Sequence, residues 1–416
     1  MRKLTILTAV ILCIGCLLGA CAKPGKEENT MKTEEPTKEQ TTEAPTEPAT
    51  EAPKLESLKI AGAELSEYTI VYARNTYFKV LSGIRDQLKG DYDFDHLTAQ
   101  RLAEMIFDRF GVRLEVVQDT KQKEAGEREI LIGKTNRKLH PETLGNDDYT
   151  VSLNESRLVI CGGAFGTTWH AIDAIADWLD RQAEQGSTAD ITAADSITGT
   201  YHLKTVACIG DSITYGATST NPQYLSFPVN MQRILWHDYL ITNYGHSGKT
   251  MRDDLQDSYM GTDTWKKLMA DETGYDLVLL MLGTNDSHRD QDWDSGDDTR
   301  FKRSCRVLLN AVKEKNPNAT FVMMNCPKYF DPNGKFASPH IRELQLEIAK
   351  ELKAEGFPIL FYDMYRFTEQ EMGGALFPDN LHPADAGYVV MGKGVSQLVR
   401  AVMENEKNRY LVELGD

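Results

Sequence analysis

The 416-residue chain is short of positive charge: 46 Lys and Arg stand against 62 Asp and Glu, a formal net charge of −16. No basic block follows the N-terminus. Contacts to nucleic-acid phosphates need clustered Lys and Arg, so sequence-independent nucleic-acid binding is set aside. There is no His-Glu-x-x-His helix and no phosphate loop, so neither a metal nor another cofactor is expected. Cysteine is scarce: beyond residue 20 only Cys21, Cys161, Cys208, Cys305 and Cys326 occur, and no pair has the spacing of a zinc knuckle or a dense disulfide framework. Cys161, Cys208 and Cys326 sit in apolar strand-like runs and read as buried free thiols, with a single disulfide as the alternative. Apolar residues are almost missing from Ala22 to about Lys54, as in Thr41-Thr42-Glu43-Ala44-Pro45-Thr46-Glu47-Pro48. Such a segment cannot bury enough surface to offset its ordering entropy, so residues 22–57 read as a disordered linker.

The N-terminus reads as an export signal. Arg2 and Lys3 precede an apolar run from Leu4 to Leu18, which is somewhat short for a spanning helix of about 20 residues. The run ends in Leu18-Gly19-Ala20-Cys21, which resembles the lipobox of bacterial lipoproteins. That resemblance makes residues 1–21 a signal peptide and Cys21 the lipid-attachment site. It implies an exported lipoprotein held on the outer face of the bacterial cell membrane by more than one acyl chain, each buried methylene contributing roughly 0.8 kcal/mol. An ordinary secretory signal followed by a chance cysteine is the alternative.

Residues 58–198 read as a smaller α+β domain. Leu102, Met105, Ile106 and Phe110 recur at helical spacing and predict an amphipathic helix over Leu97 to Phe110. Strands are expected at Glu67 to Ala73, Arg113 to Val117, Glu129 to Ile132, Tyr149 to Leu153 and Arg157 to Cys161, with a closing helix from about Thr167 to Leu179. The runs Glu129-Ile130-Leu131-Ile132-Gly133 and Leu158-Val159-Ile160-Cys161-Gly162-Gly163 resemble the accessory domain that precedes the catalytic barrel in some hexosaminidases and α-glucuronidases. In those enzymes it carries no catalytic residue, and a scaffold without a ligand is the plainer reading.

Beyond a Thr, Ala and Ser-rich connector, residues 199–406 alternate strand and helix. Strands are predicted at Thr205 to Ile209, Tyr239 to Tyr244, Asp276 to Leu282, Thr320 to Asn325 and Ile359 to Asp363. Near-continuous apolar runs such as Leu277 to Leu282 are what strands buried on both faces require. The alternation predicts a three-layer α/β fold with a doubly wound, flavodoxin-like, five-stranded parallel sheet, and ligands bind beyond the carboxyl ends of such strands.

Four short segments fall at that end or on the final loop: Gly210-Asp211-Ser212, Asn243-Tyr244-Gly245-His246-Ser247-Gly248, Gly283-Thr284-Asn285-Asp286 and Asp379-Asn380-Leu381-His382. A serine, a histidine with a carboxylate three residues before it, and separate amide donors are the parts needed to attack an acyl carbonyl and hold the oxyanion. Each fragment alone is weak. In order and at this spacing they resemble the SGNH or GDSL hydrolase family over roughly Thr205 to Met403, with Ile213 replacing the leucine of the name-giving motif.

The resemblance implies Ser212 as nucleophile, His382 as general base and Asp379 as its partner. It places the oxyanion donors at the backbone N–H groups of Ser212 and Gly248 and the side-chain amide of Asn285. Asp211 and Asp286 are expected to brace their own loops. His246 and Ser247 could touch substrate or form a turn, and Trp265, Trp293 and His288 could line a sugar cleft or simply pack.

The activity expected is that of a serine esterase acting on a small ester or acylated carbohydrate, removing short acyl groups, O-acetyl first. A lysophospholipase or other lipid acyl esterase is the enzymatic alternative. A non-catalytic carbohydrate-binding protein of the cell surface is the alternative of another class.

Overall fold

The computed structural model describes residues 53–74, 93–122, 124–287, 293–330 and 339–415. The signal segment with Cys21, most of the linker, and His288 lie outside the described residues. Residues 52–416 belong to one compact unit.

The apolar runs of the C-terminal half become the centre of a sheet. Its strands are β10 (Lys204–Gly210), β11 (Tyr239–Gly245), β12 (Leu277–Met281), β13 (Thr320–Met324), β14 (Ile359–Tyr362) and β15 (Leu411–Val412), in the spatial order β11-β10-β12-β13-β14-β15. All five residues of β12 are buried, as expected of a strand covered on both faces. One face packs on Phe301, Leu308, Ile341 and Ile348 from the helices Ser295–Lys315 and Pro339–Ala354. The other packs on Phe227, Met231, Met391 and Val395 from Phe227–Leu235 and Asp385–Met403. Each such side chain contributes roughly 1.5–3 kcal/mol when fully buried.

The five longer strands are parallel, but the sheet is six-stranded and mixed, because β15 pairs antiparallel with β14 through Phe361↔Val412 and Tyr362↔Leu411. Two residues carry no periodicity, so this edge strand is fixed by its partner and could not be read from pattern.

A second six-stranded sheet lies before it in the chain. It comprises β3 (Thr69–Tyr72), β4 (Val116–Gln118), β5 (Glu129–Ile132), β6 (Asp148–Asn154), β7 (Arg157–Gly162) and β9 (Ile197–Thr200), ordered β4-β3-β5-β7-β6-β9. The helices Phe94–Phe110 and Phe165–Ala183 bury Leu102, Ile106, Ile172 and Ile175 against it. A small sheet of β2 (Ala63–Glu64), β1 (Ser57–Ile60) and β8 (Thr188–Ile191) adjoins this core. The stretch read as a connector therefore contains β8 and β9, and the expected boundary at residue 198 falls inside β9. Both strands are short edge strands, held by pairing to β1 and β6.

Where the two large sheets meet, Phe94 stacks on Trp236 at 4.6 Å and Trp169 meets the same indole edge-on at 5.1 Å. Asp238 accepts from Tyr201 Oη at 2.8 Å and lies 3.1 Å from His170 Nε2. Cys161, Cys208, Cys305 and Cys326 are free and buried.

Candidate active site

Strand register brings the sequence segments to one level. Gly210, the last residue of β10, is the register partner of Gly245 in β11 and of Met281 in β12. Three neighbouring strands thus end side by side, and the loops carrying Ser212, Gly248 and Asn285 leave from the same edge. Glycine is needed at position 245 because a Cβ there would lie 2.1 Å from Tyr215 N and 2.5 Å from Thr214 C. That close approach seats the second loop on the short helix Ser212–Tyr215, and His246 N–H donates to Gly210 C=O at 2.9 Å.

Asp211 caps this helix, accepting from Ile213 N–H at 3.0 Å. Its carboxyl is buried, and burial pushes its pKa up to about 6 against the hydrogen bonds that favour the ion. Ser212 is 4% exposed. Its Oγ lies 2.8 Å from His382 Nε2, while His382 Nδ1 lies 2.6 Å from Asp379 Oδ2. A carboxylate can only accept, so the imidazole proton sits on Nδ1 and leaves Nε2 to accept the serine hydroxyl.

The turn that delivers both groups is built by Asp379 itself. Its Oδ1 accepts from the backbone N–H groups of Leu381 at 3.0 Å and His382 at 2.6 Å. Asn380 adopts a left-handed φ of 67°, which asparagine tolerates better than most residues. Burial raises the Asp379 pKa, but the hydrogen bonds from the His382 ring and the backbone outweigh it and hold the carboxyl below its ordinary value.

A set of contacts that sequence reasoning missed clamps the histidine loop to the serine loop. Thr218 Oγ1 donates to Pro383 C=O at 2.8 Å, and Tyr388 Oη donates to Ala217 C=O at 2.8 Å. Asp385 accepts from both the N–H and Oγ1 of Thr220 at 2.8 Å. These partners lie about 165 positions apart in the chain, and no local pattern announces them.

Gly248 is exposed, has φ of 74°, and a Cβ there would touch nothing within 4 Å, so its backbone borders open space. Asn285, half-buried on the short helix Thr284–Ser287, donates through Nδ2 to Lys249 C=O at 2.9 Å, leaving its other amide hydrogen. Asp286 does more than brace its own loop. Its carboxylate accepts from Met251 N–H at 2.8 Å and Arg252 N–H at 3.2 Å, tying the loop after Gly248 to the loop of Asn285. Asp286 is buried, and burial raises its pKa to about 6 despite those bonds.

The other candidates behave as structure. His246 Nδ1 lies 2.8 Å from Thr264 Oγ1, and burial and Lys249 lower its pKa. Ser247 is exposed. Trp265 packs beside Tyr259, and Trp293 packs beside Phe301 while its Nε1 donates to Asp298 at 2.7 Å.

Sheet order, serine placement and the Ser–His–Asp contacts define the class: a doubly wound α/β protein with a triad on loops beyond the carboxyl ends of its strands. Residues 208–390 match the GDSL-like lipase/acylhydrolase family. An acetylxylan esterase of Xylanibacter ruminicola is 26% identical over 216 residues, which are 47% of this chain and 43% of that protein. The chain thus spans less than half the length of that relative. Among solved structures, a family two carbohydrate esterase from Clostridium thermocellum is 17% identical, with a TM-score of 0.37 over 51% of this chain and 69% of that one. A carbohydrate acetylesterase family member from Sinorhizobium meliloti is 21% identical, with a TM-score of 0.37 over 49% and 100%.

Proposed function

We propose that the protein is a serine carboxylic ester hydrolase that removes short acyl groups, acetyl first, from carbohydrate. The observation that carries this reading is the unbroken chain from Ser212 Oγ to His382 Nε2 and from His382 Nδ1 to Asp379. In the proposed reaction Ser212 Oγ attacks the ester carbonyl carbon as its proton passes to His382 Nε2. Asp379 holds the ring and stabilises the imidazolium without taking the proton.

The carbonyl oxygen, now anionic, is received by the N–H groups of Ser212 and Gly248 and by the free amide hydrogen of Asn285. Collapse expels the sugar hydroxyl, which takes the proton from His382. Water then attacks the acyl-serine with the same base, releasing the carboxylic acid and free Ser212.

Carbohydrate as substrate is supported by the acetylxylan esterase relative and by the likeness of the second sheet's sequence to a domain of carbohydrate enzymes. We also propose that Cys21 carries the lipid anchor on the outer face of the membrane, with the segment from residue 22 to about 54 as the tether. The expected linker boundary at 57 is too late, because Leu55 is buried, Glu56 N–H donates to Ser187 C=O at 2.7 Å and Ser57 opens β1.

The test is acetate release from acetylated polysaccharide measured beside fatty-acid release from lysophospholipid. Faster turnover of polysaccharide is expected, and preference for the lipid would replace the carbohydrate reading with a lipid one.

A further inference from the structure

We propose that a groove along the free edge of β11 binds the sugar chain on which the scissile ester is carried, so that the enzyme grips a polymer and not an isolated sugar. This rests on the esterase reading above and specifies its substrate class. Among the described residues β11 is the edge strand of the catalytic sheet, with β10 as its neighbour. An exposed edge strand offers a row of main-chain donors and acceptors, which proteins ordinarily cover or blunt.

Here the two halves of the strand differ. At the start, the side-chain amide of Gln232 takes the place of a neighbouring strand: its Nε2 donates to Tyr239 C=O at 2.8 Å and its Oε1 accepts from Ile241 N–H at 2.7 Å. By the two-residue alternation of a strand, the main-chain groups of Asn243 face the same outward side. Beyond Gln232, where Gly245 N–H is held by Asn243 Oδ1 at 2.8 Å, the edge meets open space. It becomes the floor of an open groove of about 790 Å³ between the two helical layers, with Tyr215 and Gln223 on one bank and Thr264 and Lys267 on the other.

The groove adjoins the serine segment. Gly245 and Tyr215 belong to its lining, and Tyr215 closes the same short helix that begins with Ser212. Asn243 in its floor donates to Thr214 C=O on that helix at 2.9 Å.

The lining fits a saccharide. Tyr215 is 45% exposed, an unusual setting for an aromatic ring, and offers an apolar face with a polar tip to a pyranose. Main-chain groups, an amide, a hydroxyl and an ammonium supply the mixed donors and acceptors that sugar hydroxyls require. An acyl tail would need an enclosed apolar slot, whereas this groove is open along its length and suits a chain that passes through.

The experiment compares O-acetylated xylo-oligosaccharides of increasing length with para-nitrophenyl acetate, using the full chain. For the wild type, kcat/KM is expected to rise with oligosaccharide length. Ala270→Trp, on the exposed last residue of the helix Asp263–Ala270 and distant from the Ser212 loop in sequence, fills the far end of the groove. It is expected to raise KM for the long substrates roughly tenfold while leaving para-nitrophenyl acetate hydrolysis unchanged. Tyr215→Ala is expected to lower the ratio of long-substrate to small-ester kcat/KM by roughly tenfold.

If both variants keep the wild-type dependence on length, the groove does not hold the chain and the inference is overturned. If the wild type releases acetate from none of these esters, the esterase reading itself has failed, an outcome separate from a flat length dependence in an active enzyme.

Discussion

In the C-terminal sheet the carboxyl ends of β10, β11 and β12 lead into Ser212, Gly248 and Asn285, and the backbone at Gly248 borders open space. In the N-terminal sheet the carboxyl ends of β3, β5 and β7 lead into Arg74, Gly133 and Gly163, which line a cavity of about 440 Å³ at the junction with Trp236 and Tyr239. Both sheets have parallel strands at their centre and pack helices on apolar cores, on both faces in the C-terminal sheet and through one main core in the N-terminal sheet, so parallel strand ends alone do not separate them.

What separates them is how their polar groups are used. In the first, Ser212, His382 and Asp379 are bonded into a chain that a substrate could enter. In the second, charge is locked away. Glu129 is fully buried and held by both Nε and Nη2 of Arg137, at 3.1 and 2.7 Å, and by Gly126 N–H at 2.8 Å. Asp95 is buried as well, and burial, with Asp93 and Asp119 nearby, drives its pKa well above the carboxylate range. The end of a parallel strand is a place for a site, and the side chains decide whether one is there.

This contrast predicts that damage to one sheet falls on chemistry and damage to the other on stability. The largest effect is expected for His382→Ala, which should lower kcat by about 10⁴-fold or more, with an unchanged circular dichroism melt. A comparable loss of stability in that variant would blur the contrast. Next, Glu129→Gln leaves Arg137 buried without its charge partner and should destabilise the fold by about 3–5 kcal/mol in denaturant titration. Activity per folded molecule should stay at the wild-type level, and a parallel fall in kcat would show that the N-terminal sheet takes part in the reaction.

Asn285→Ala should reduce kcat by roughly 100-fold to 1,000-fold with little change in KM, because an oxyanion donor acts in the transition state. Unchanged turnover would remove Asn285 from the mechanism. The smallest effect concerns pH. With Asp211 and Asp286 raised to about 6, the folded state binds protons that the unfolded chain releases between roughly pH 4 and pH 6. Their contribution to stability therefore grows as pH falls through that window and is lost as pH rises through about 6. Comparing unfolding midpoints across the window, Asp211→Asn should gain less than the wild type on acidification, and an equal gain would mean that Asp211 titrates normally.

Much of the C-terminal sheet was legible because its strands are long apolar runs, such as Leu277 to Leu282, and because the four segments carrying Ser212, Gly248, Asn285 and His382 have recognisable chemistry. β15, β8 and β9 were not legible, since two to four residues at a sheet edge are specified by the partner strand. Asp286 was read as a local brace because sequence shows only its neighbours, while its acceptors' partners, Met251 and Arg252, lie about 35 positions away. The clamp from Thr218, Thr220 and Tyr388 to the opposite loop escaped notice for the same reason.

The central claim, that Ser212 is an acylated nucleophile, is tested most directly by acetate release from an O-acetylated polysaccharide by the wild type and by Ser212→Ala at equal folded concentration. The wild type should release acetate with steady turnover, and the variant should be slower by about 10⁴-fold or more. Equal rates in the two proteins would contradict the account and leave the Ser212–His382–Asp379 chain without a catalytic role.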